Sequence, residues 1–212
     1  MSRAVIEVEG NGPEGDDVTA IAMVLHGGAA HGHAPVHKAR LAYLRMRPFA
    51  TEVHRGLRQE GVAVWRLRYR YRGWNGADRD PVHDVEWALA EAAGRHPNTP
   101  VVLIGHSMGG RAALWAAGSP NVIGVCALAP WIEPADPLGQ LSDRRVLIVH
   151  GDADRMTSPI ESRRYAARAA QLGVDIQFIG VRGAGHTMLS QPSLWHRLAA
   201  DFVRDTLTLR AA

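Results

Sequence analysis

Cysteine is almost missing from this sequence, since Cys126 is the only one among 212 residues. A single cysteine cannot form an internal disulfide bond, so the fold does not require an oxidising compartment. Long apolar runs are missing too, because the longest, such as residues 20–25 and 101–104, are much shorter than the roughly 18 residues of a membrane-spanning helix. Residues 1–7 turn acidic before the apolar core of a signal peptide could form. We therefore expect a cytoplasmic protein with no membrane span.

Lysine is nearly absent as well. Lys38 is the only lysine among 24 basic residues, which face 21 acidic ones and give a formal net charge of +3. Arg66, Arg68, Arg70 and Arg72 alternate within one segment, a pattern that could indicate nucleic-acid binding. The acidic residues are mixed among the arginines along the chain, which favours a coding bias over a surface that binds polyanions. We expect no nucleic-acid partner.

The overall composition is that of an ordinary globular protein. Hydrophobic residues make up 46% and charged residues 21% of the chain, close to the averages for soluble domains. This composition excludes disordered, collagen-like and coiled-coil chains, and no internal repeat is present. The length suits one domain, so we predict a single domain over residues 1–212.

Short apolar runs recur along the chain without strict polar alternation, as is typical of strands covered on both faces. They occupy residues 5–8, 21–25, 62–67, 101–104, 122–128, 145–149 and 174–179. Segments with helical spacing separate them, one after Pro48, one with Asp80 as its predicted N-cap, and others at residues 112–117, 160–172 and 194–207. This alternation predicts an α/β fold: a three-layer sandwich with a mostly parallel sheet of about seven strands and helices on both faces.

One motif lies between a predicted strand and an alanine-rich helix. It reads Gly105-His106-Ser107-Met108-Gly109, a G-x-S-x-G pattern in strand–turn–helix context. A serine in such a tight turn projects its hydroxyl above the sheet, and side chains two residues away on either side would collide with neighbouring elements. We predict that Ser107 is a nucleophile and that the Met108 N–H, at the helix start, stabilises an oxyanion.

A serine nucleophile needs a base, and the base needs an orienting carboxylate. Asp154 follows the run at residues 145–149, and His186 follows the run at residues 174–179, each in a glycine-bracketed loop. The pattern indicates His186 as the base and Asp154 as its acid. Asp152 competes for the acid's role, and the alternatives are a turn or capping aspartate at position 154 and an exposed loop histidine at position 186.

A second oxyanion donor is expected in the loop after the run at residues 21–25. This loop reads His26-Gly27-Gly28-Ala29, and glycine lets the backbone turn an N–H toward the reacting carbonyl. Gly28 is the predicted donor and Ala29 its rival. A tight turn without a chemical role is the alternative.

Together these residues resemble the α/β-hydrolase fold family. The matching segments are the oxyanion loop at residues 26–28, the nucleophile elbow at residues 105–110, the acid loop at residues 150–154, the base loop at residues 183–186, and Tyr71-Arg72-Gly73-Trp74-Asn75-Gly76 followed by Asp84. The resemblance implies an eight-stranded sheet with one antiparallel strand, trimmed in short members. Serine at position 107 argues against the chemistries of dienelactone hydrolases, dehalogenases and epoxide hydrolases.

Two segments depart from the common pattern of that family. Residues 130–144 are too few for the helical cap that many relatives insert there, so we expect no cap domain and an open site rimmed by Trp74, Trp131, Met156 and Met188. Residues 30–47 are longer than usual and contain three histidines, His31, His33 and His37. An H-x-H pair could ligate zinc, but no third ligand has suitable spacing, so a solvated rim loop without metal is favoured.

The sequence therefore predicts a serine hydrolase that cleaves a small-molecule carboxylic ester or thioester through an acyl-enzyme, without cofactor or metal. The same groups could serve a peptidase, a lactonase or an acyltransferase. A non-catalytic α/β-hydrolase that acts as a binding module is the alternative from a different class. The pattern specifies neither the acyl length nor the leaving group nor the oligomeric state.

Overall fold

Seven strands form one sheet in the computed structural model of this protein, which describes residues 3–10, 13 and 15–211. The strands are β1 (Val5–Val8), β2 (Ala20–Leu25), β3 (Val62–Arg68), β4 (Val101–His106), β5 (Val122–Leu128), β6 (Arg145–Gly151) and β7 (Asp175–Val181). Their order is β1-β3-β2-β4-β5-β6-β7, with β1 antiparallel to β3 and the other neighbours parallel. The mostly parallel seven-stranded sheet is confirmed. The predicted domain also includes residues 1, 2, 11, 12, 14 and 212, which lie outside the described residues.

Helices connect the strands where the helical spacing predicted them. They are α1 (Leu41–Leu44), α2 (Arg47–Leu57), α3 (Asp80–Arg95), α4 (Met108–Ala116), α5 (Pro159–Gln171) and α6 (Pro192–Ala211). The short helix α1 was not predicted. The predicted N-cap at Asp80 is wrong, because the helix begins at Asp80 itself after Arg79, whose φ is +45°. The Asp80 carboxylate does not cap the helix but accepts hydrogen bonds from Arg70 and Asn75.

The core consists of two buried layers, one on each face of the sheet. Side chains alternate across β2, so that Ile21, Met23 and Leu25 pack on one face while Ala22 and Val24 pack on the other. The first layer contains the apolar faces of α3, α4 and α5, and the second contains those of α2 and α6. This arrangement confirms the three-layer sandwich.

Two of the four alternating arginines, Arg66 on β3 and Arg70 just after it, are paired inside the fold. Arg66 is buried, and its guanidinium lies 2.8 Å from Glu9 and 3.3 Å from Glu7, both near the antiparallel strand β1. The Nε of Arg70 lies 2.6 Å from the buried carboxylate of Asp84 on α3. These charges are therefore balanced by carboxylates on the neighbouring strand and helix.

The carboxyl edge of the sheet carries no added domain. The connection between β5 and β6, residues 129–144, contains a single short 3-10 turn at Gly139–Leu141, so it forms no cap. The loops after β2, β3, β4, β6 and β7 meet at this edge, where α/β proteins bind their ligands. Within the described residues, no helix has both the length and the apolar character needed to cross a membrane.

Candidate active site

Ser107 occupies a strained turn between β4 and α4. Its φ of 57° and ψ of −119° are unusual for a residue with a side chain, and strain of this kind persists only where the surroundings hold it. Here the Ser107 N–H donates to the Leu128 carbonyl at 3.0 Å, and the Ser107 carbonyl accepts from the N–H groups of Trp131 at 3.2 Å and Arg111 at 3.1 Å. Backbone bonds from the end of β5 and from α4 thus fix the serine at the sheet edge.

The two glycines of the motif permit the close approach of strand and helix around Ser107. A Cβ on Gly105 would collide with the carbonyl of Gly109, and a Cβ on Gly109 would lie 2.5 Å from the His26 carbonyl oxygen. Real Cβ atoms do not approach backbone this closely, so larger residues would force the strand and helix apart. This is the collision that the sequence pattern predicted.

A hydrogen-bonded chain of three side chains reaches Ser107 from two neighbouring loops. The Nε2 atom of His186, after β7, lies 3.0 Å from Ser107 Oγ, and its Nδ1 atom lies 2.8 Å from Oδ2 of Asp154, after β6. When Nδ1–H donates to the carboxylate, Nε2 is the unprotonated nitrogen that accepts the serine proton. All three residues are buried, with 8–9% of their surfaces exposed. The structure brings together the three residues predicted from the sequence.

The Asp154 carboxylate is held by its own loop. Oδ1 accepts from the N–H groups of Met156 at 2.8 Å and Thr157 at 3.1 Å, and Oδ2 accepts from the Thr157 hydroxyl at 2.9 Å. Burial alone would raise the pKa of Asp154, but the bonds from Thr157, His186 and Met156 outweigh it and lower the pKa to about 2. The carboxylate is therefore ionised at neutral pH and able to orient an imidazole and stabilise its protonated form.

Asp152, the alternative candidate for the acid that orients His186, contacts a backbone group instead. Its Oδ1 atom accepts from the Gly183 N–H at 2.6 Å. Asp152 therefore ties the loop after β6 to the loop after β7, while Asp154 alone of the two reaches His186.

A second imidazole, that of His150, also contacts the Asp154 carboxylate, and the sequence pattern did not predict this contact. The Nε2 atom of His150 lies 3.1 Å from Asp154 Oδ2, and its Nδ1 atom lies 2.8 Å from the Ser162 hydroxyl on α5. Burial lowers the pKa of His150 to about 4, so the ring is neutral at pH 7. Because Asp154 is ionised, Nε2 carries the proton and Ser162 donates to Nδ1. The only sequence signal was the position of His150 at the end of β6, four residues before Asp154.

The predicted oxyanion loop, residues 26–29, lies directly beside Ser107. A Cβ on Gly27 would lie 3.3 Å from Ser107 Cβ, and a Cβ on Gly28 would lie 2.5 Å from Met108 Sδ. The rival donor Ala29 is engaged, since its N–H donates to the Arg72 carbonyl at 2.8 Å. In the part of the chain that the structure describes, no carbonyl accepts from the N–H of Gly28 or of Met108, the first residue of α4. Both groups are thus available to an anion at the helix N-terminus.

The four predicted rim residues divide into three environments. Met156 is 75% exposed at the surface, whereas Met188 is only 3% exposed and packs in the core layer of α2 and α6. The expectation for Met188 is wrong, because the turn closed by its N–H to the Gly185 carbonyl directs the side chain inward. Trp74 is only 4% exposed and packs in the core layer of α3, α4 and α5, so it too is buried rather than placed at an open rim. The partly buried Trp131 packs edge to face against it, with ring centroids 6.1 Å apart.

The histidine-rich segment after β2 contributes one member to a charged cluster. His33 lies 3.8 Å from Asp80, and ligand atoms of His33, Asp78 and Asp80 lie within 4.8 Å of one another. Asp80 is the first residue of α3 and Asp78 lies in the 3-10 turn before it, so spacing within the histidine segment could not reveal either ligand. The Asp80 oxygens already accept from Arg70 at 3.1 Å and from Asn75 at 2.7 Å, so its charge is balanced within the protein.

Comparison with known proteins agrees with this fold. A family profile described as an alpha/beta hydrolase domain matches residues 44–191. Est1E from Butyrivibrio proteoclasticus is 16% identical, with a TM-score of 0.66 over 97% of this chain and 94% of that one. A monoacylglycerol lipase from Paleococcus ferrophilus is 15% identical, with a TM-score of 0.66 over 97% and 99%. An α/β serine hydrolase without a lid from Xanthomonas campestris is 18% identical, with a TM-score of 0.63 over 95% and 88%. Comparison with curated protein sequences finds no match.

Proposed function

This chain belongs to the alpha/beta hydrolase family, and we propose that it cleaves carboxylic ester or thioester bonds through an acyl-enzyme on Ser107. The observation that carries the proposal is the hydrogen-bonded chain from Ser107 Oγ to His186 at 3.0 Å and from His186 to Asp154 at 2.8 Å. A monoacylglycerol lipase among the structural neighbours agrees with ester chemistry. The substrate is a small molecule that carries an acyl group.

In the proposed reaction, Ser107 Oγ attacks the substrate carbonyl while His186 Nε2 takes the hydroxyl proton. The backbone N–H groups of Gly28 and Met108 hold the negative oxygen of the tetrahedral intermediate. Collapse of the intermediate breaks the bond to the leaving group, and the His186 imidazolium gives that group its proton. Water then attacks the acyl-enzyme, with His186 taking the water proton and returning it to Ser107 as the acid is released.

Asp154 supports both half-reactions without exchanging a proton itself. Its carboxylate keeps the Nδ1–H tautomer of His186 in place and stabilises the imidazolium that forms in each transfer. The nucleophile, base, acid and oxyanion donors all come from the chain, so the proposed steps need no cofactor.

The nucleophile is tested with a fluorophosphonate probe. We expect the wild-type protein to be labelled and the Ser107→Ala variant to remain unlabelled. Hydrolysis of p-nitrophenyl esters should disappear in the same variant. Equal labelling of both proteins, or hydrolysis that survives the substitution, would contradict the proposal. A wild-type protein that neither labels nor hydrolyses any ester would indicate a binding module.

Asp154 and Asp152, the two aspartates of the acid loop, provide a test variant and its matched control. We expect Asp154→Asn to lower kcat by on the order of 10⁴-fold, because the amide no longer holds the required tautomer. Asp152→Asn is the control, since Asp152 contacts a backbone N–H of the base loop but not His186. Its kcat should stay within a few fold of wild type. If the two variants lose activity equally, Asp154 is not the orienting acid.

A further inference from the structure

A groove of about 670 Å³ opens at the carboxyl edge of the sheet, and its lining includes Trp131, whose N–H donates to the Ser107 carbonyl. Pockets that bind small organic ligands have volumes of roughly 300–1,000 Å³, so the groove is large enough for a substantial acyl group. Its wall is unusually rich in tryptophan, formed by Trp74, Trp115 and Trp131, and Arg79, Arg111 and Ala30 complete the lining used below.

Backbone hydrogen bonds connect this groove to Ser107 and to the oxyanion loop. The Trp131 N–H donates to the Ser107 carbonyl at 3.2 Å, and the Trp74 N–H donates to the Ala29 carbonyl at 2.9 Å. Ala30, the next residue of the oxyanion loop, lies in the groove wall. Residues of the groove wall are thus joined by backbone bonds to the turn of Ser107 and to the oxyanion loop.

The groove and the base lie on opposite sides of the nucleophile. Trp74 and Trp131 belong to the core layer of α3, α4 and α5, whereas Ala184 and Met188, on either side of His186, belong to the layer of α2 and α6. The leaving group must lie next to His186, because this imidazole protonates it. The acyl group of the substrate then extends in the other direction, into the groove.

The tryptophan rings are held in fixed orientations around a buried cation. Trp74 stands nearly perpendicular to Trp115 and to Trp131, with interplanar angles of 72° and 71°. The Arg111 guanidinium lies 4.3 Å from the Trp74 centroid and 4.5 Å from the Trp131 centroid. Asp136 accepts from this guanidinium at 2.6 and 3.0 Å, which pins it between the two rings. These contacts fix the tryptophan rings and the guanidinium relative to one another.

A second cation of the groove wall also lies over a tryptophan ring. The Arg79 guanidinium is 4.9 Å from the centroid of the Trp115 ring. Guanidinium groups and tryptophan edges are both attracted to the negative face of an aromatic ring, whereas a saturated ring gains only from burial.

We propose that this groove is the acyl subsite and that it selects aromatic acyl groups over saturated ones of similar size. This proposal rests on the proposed hydrolysis at Ser107, since it assigns the side on which each half of the substrate lies. Trp115 is the specificity-determining residue most easily tested, because it lines the groove without contacting the turn that holds Ser107.

The experiment compares p-nitrophenyl phenylacetate with p-nitrophenyl cyclohexylacetate, which share a leaving group and nearly the same acyl size. Each rate is divided by the rate of spontaneous hydrolysis. We expect wild-type kcat/KM to favour the phenyl ester by about three- to tenfold. The Trp115→Leu variant should lose this preference. The matched control is Trp87→Leu, on α3 and outside the groove, which should keep it.

A second measurement tests the groove without catalysis. In the Ser107→Ala background, quenching of tryptophan fluorescence reports binding of the same two esters. The phenyl ester should bind more tightly, and Trp115→Leu should remove the difference. Equal affinities, or a preference that survives Trp115→Leu in either measurement, would overturn the acyl subsite. Failure of hydrolysis in wild type, with the binding preference intact, would instead overturn the proposed reaction alone.

Discussion

The Nε2 atom of His150 lies 3.1 Å from Asp154 Oδ2, the same oxygen that lies 2.8 Å from Nδ1 of His186. One carboxylate oxygen therefore accepts from two imidazoles. His150 is fully buried, and its other ring nitrogen, Nδ1, is hydrogen-bonded to the Ser162 hydroxyl at 2.8 Å. The proposed acid is thus positioned by a neutral ring that the substrate does not reach, and His150 acts as a positioning residue.

The His150→Leu variant removes the hydrogen bond to Asp154 while keeping an apolar side chain of moderate size. We expect kcat to fall about tenfold with KM nearly unchanged, because a hydrogen bond to a charged group is lost without a change in the acyl groove. His150→Gln, which retains an N–H donor, should recover part of the loss. The exposed His83→Leu change on α3 is the control. Steady-state kinetics at pH 7 check the series, and wild-type kcat in the Leu variant would show that His150 plays no positioning role.

The positions of the strands and the three central site residues were predictable because each depends on local sequence. Buried parallel strands require apolar runs, and the turn at Ser107 requires glycine at positions 105 and 109. Features that depend on distant packing were not predictable. His150 reaches Asp154 only because β6 and its exit loop curve together, and Met188 turns into the core because a backbone turn reverses its direction.

The groove, too, depends on distant packing rather than on local sequence. Trp115 lies on the third turn of α4, and helical spacing gives no sign that it meets Trp74 from the β3–α3 loop. The predicted helix N-cap at Asp80 is wrong for a similar reason, because its carboxylate accepts hydrogen bonds from Arg70 and Asn75 instead of from the helix N-terminus. Local propensity was overridden there by a tertiary ion pair.

Gly28 offers a test of the oxyanion loop. A Cβ at this position would collide with the backbone carbonyl oxygen of Arg72, so Gly28→Ala should displace the proposed donor N–H of Gly28. We expect kcat to fall by roughly 10²–10³-fold, the loss typical for removal of one oxyanion donor. The control is Gly94→Ala in α3, where an added Cβ meets no atom within 4 Å. This control should retain full activity and gain about 0.5–1 kcal/mol in stability from helix propensity. Unchanged kcat in Gly28→Ala would exclude the loop as a donor.

The buried pair of Arg111 and Asp136 is expected to dominate the stability of the segment after β5. Their side chains are 5% and 4% exposed, and the shortest of their bonds is 2.6 Å. Arg111→Met leaves Asp136 as an unpaired buried charge, so the free energy of unfolding should fall by about 3–5 kcal/mol. Glu133→Gln is the control, because Glu133 pairs with the same guanidinium but is half exposed, and it should cost at most about 1 kcal/mol. Urea unfolding measures both, and equal losses would contradict this difference.

Three buried histidines predict how stability depends on pH. Burial lowers the pKa of His26 and His150 to about 4 and that of His106 to about 3, against an ordinary value of about 6.5 in the unfolded chain. Hydrogen bonds hold the neutral rings in place; His26, for example, donates from Nδ1 to the Gly27 carbonyl at 2.7 Å. Below pH 6.5 the unfolded chain therefore binds protons that the folded protein excludes.

The sign follows from this difference in bound protons. The stabilisation is complete above pH 6.5 and is lost as the pH falls toward 4 and then 3, by up to about 1.4 kcal/mol per pH unit for each buried histidine. Urea midpoints measured from pH 7 to pH 4 should fall steeply, and the slope should persist in 0.5 M KCl because salt screens buried groups poorly. His26→Gln should flatten the slope, whatever its effect on stability at pH 7. A midpoint that stays constant between pH 6.5 and 4.5, or a slope abolished by salt, would show that surface charge rather than these histidines governs acid unfolding.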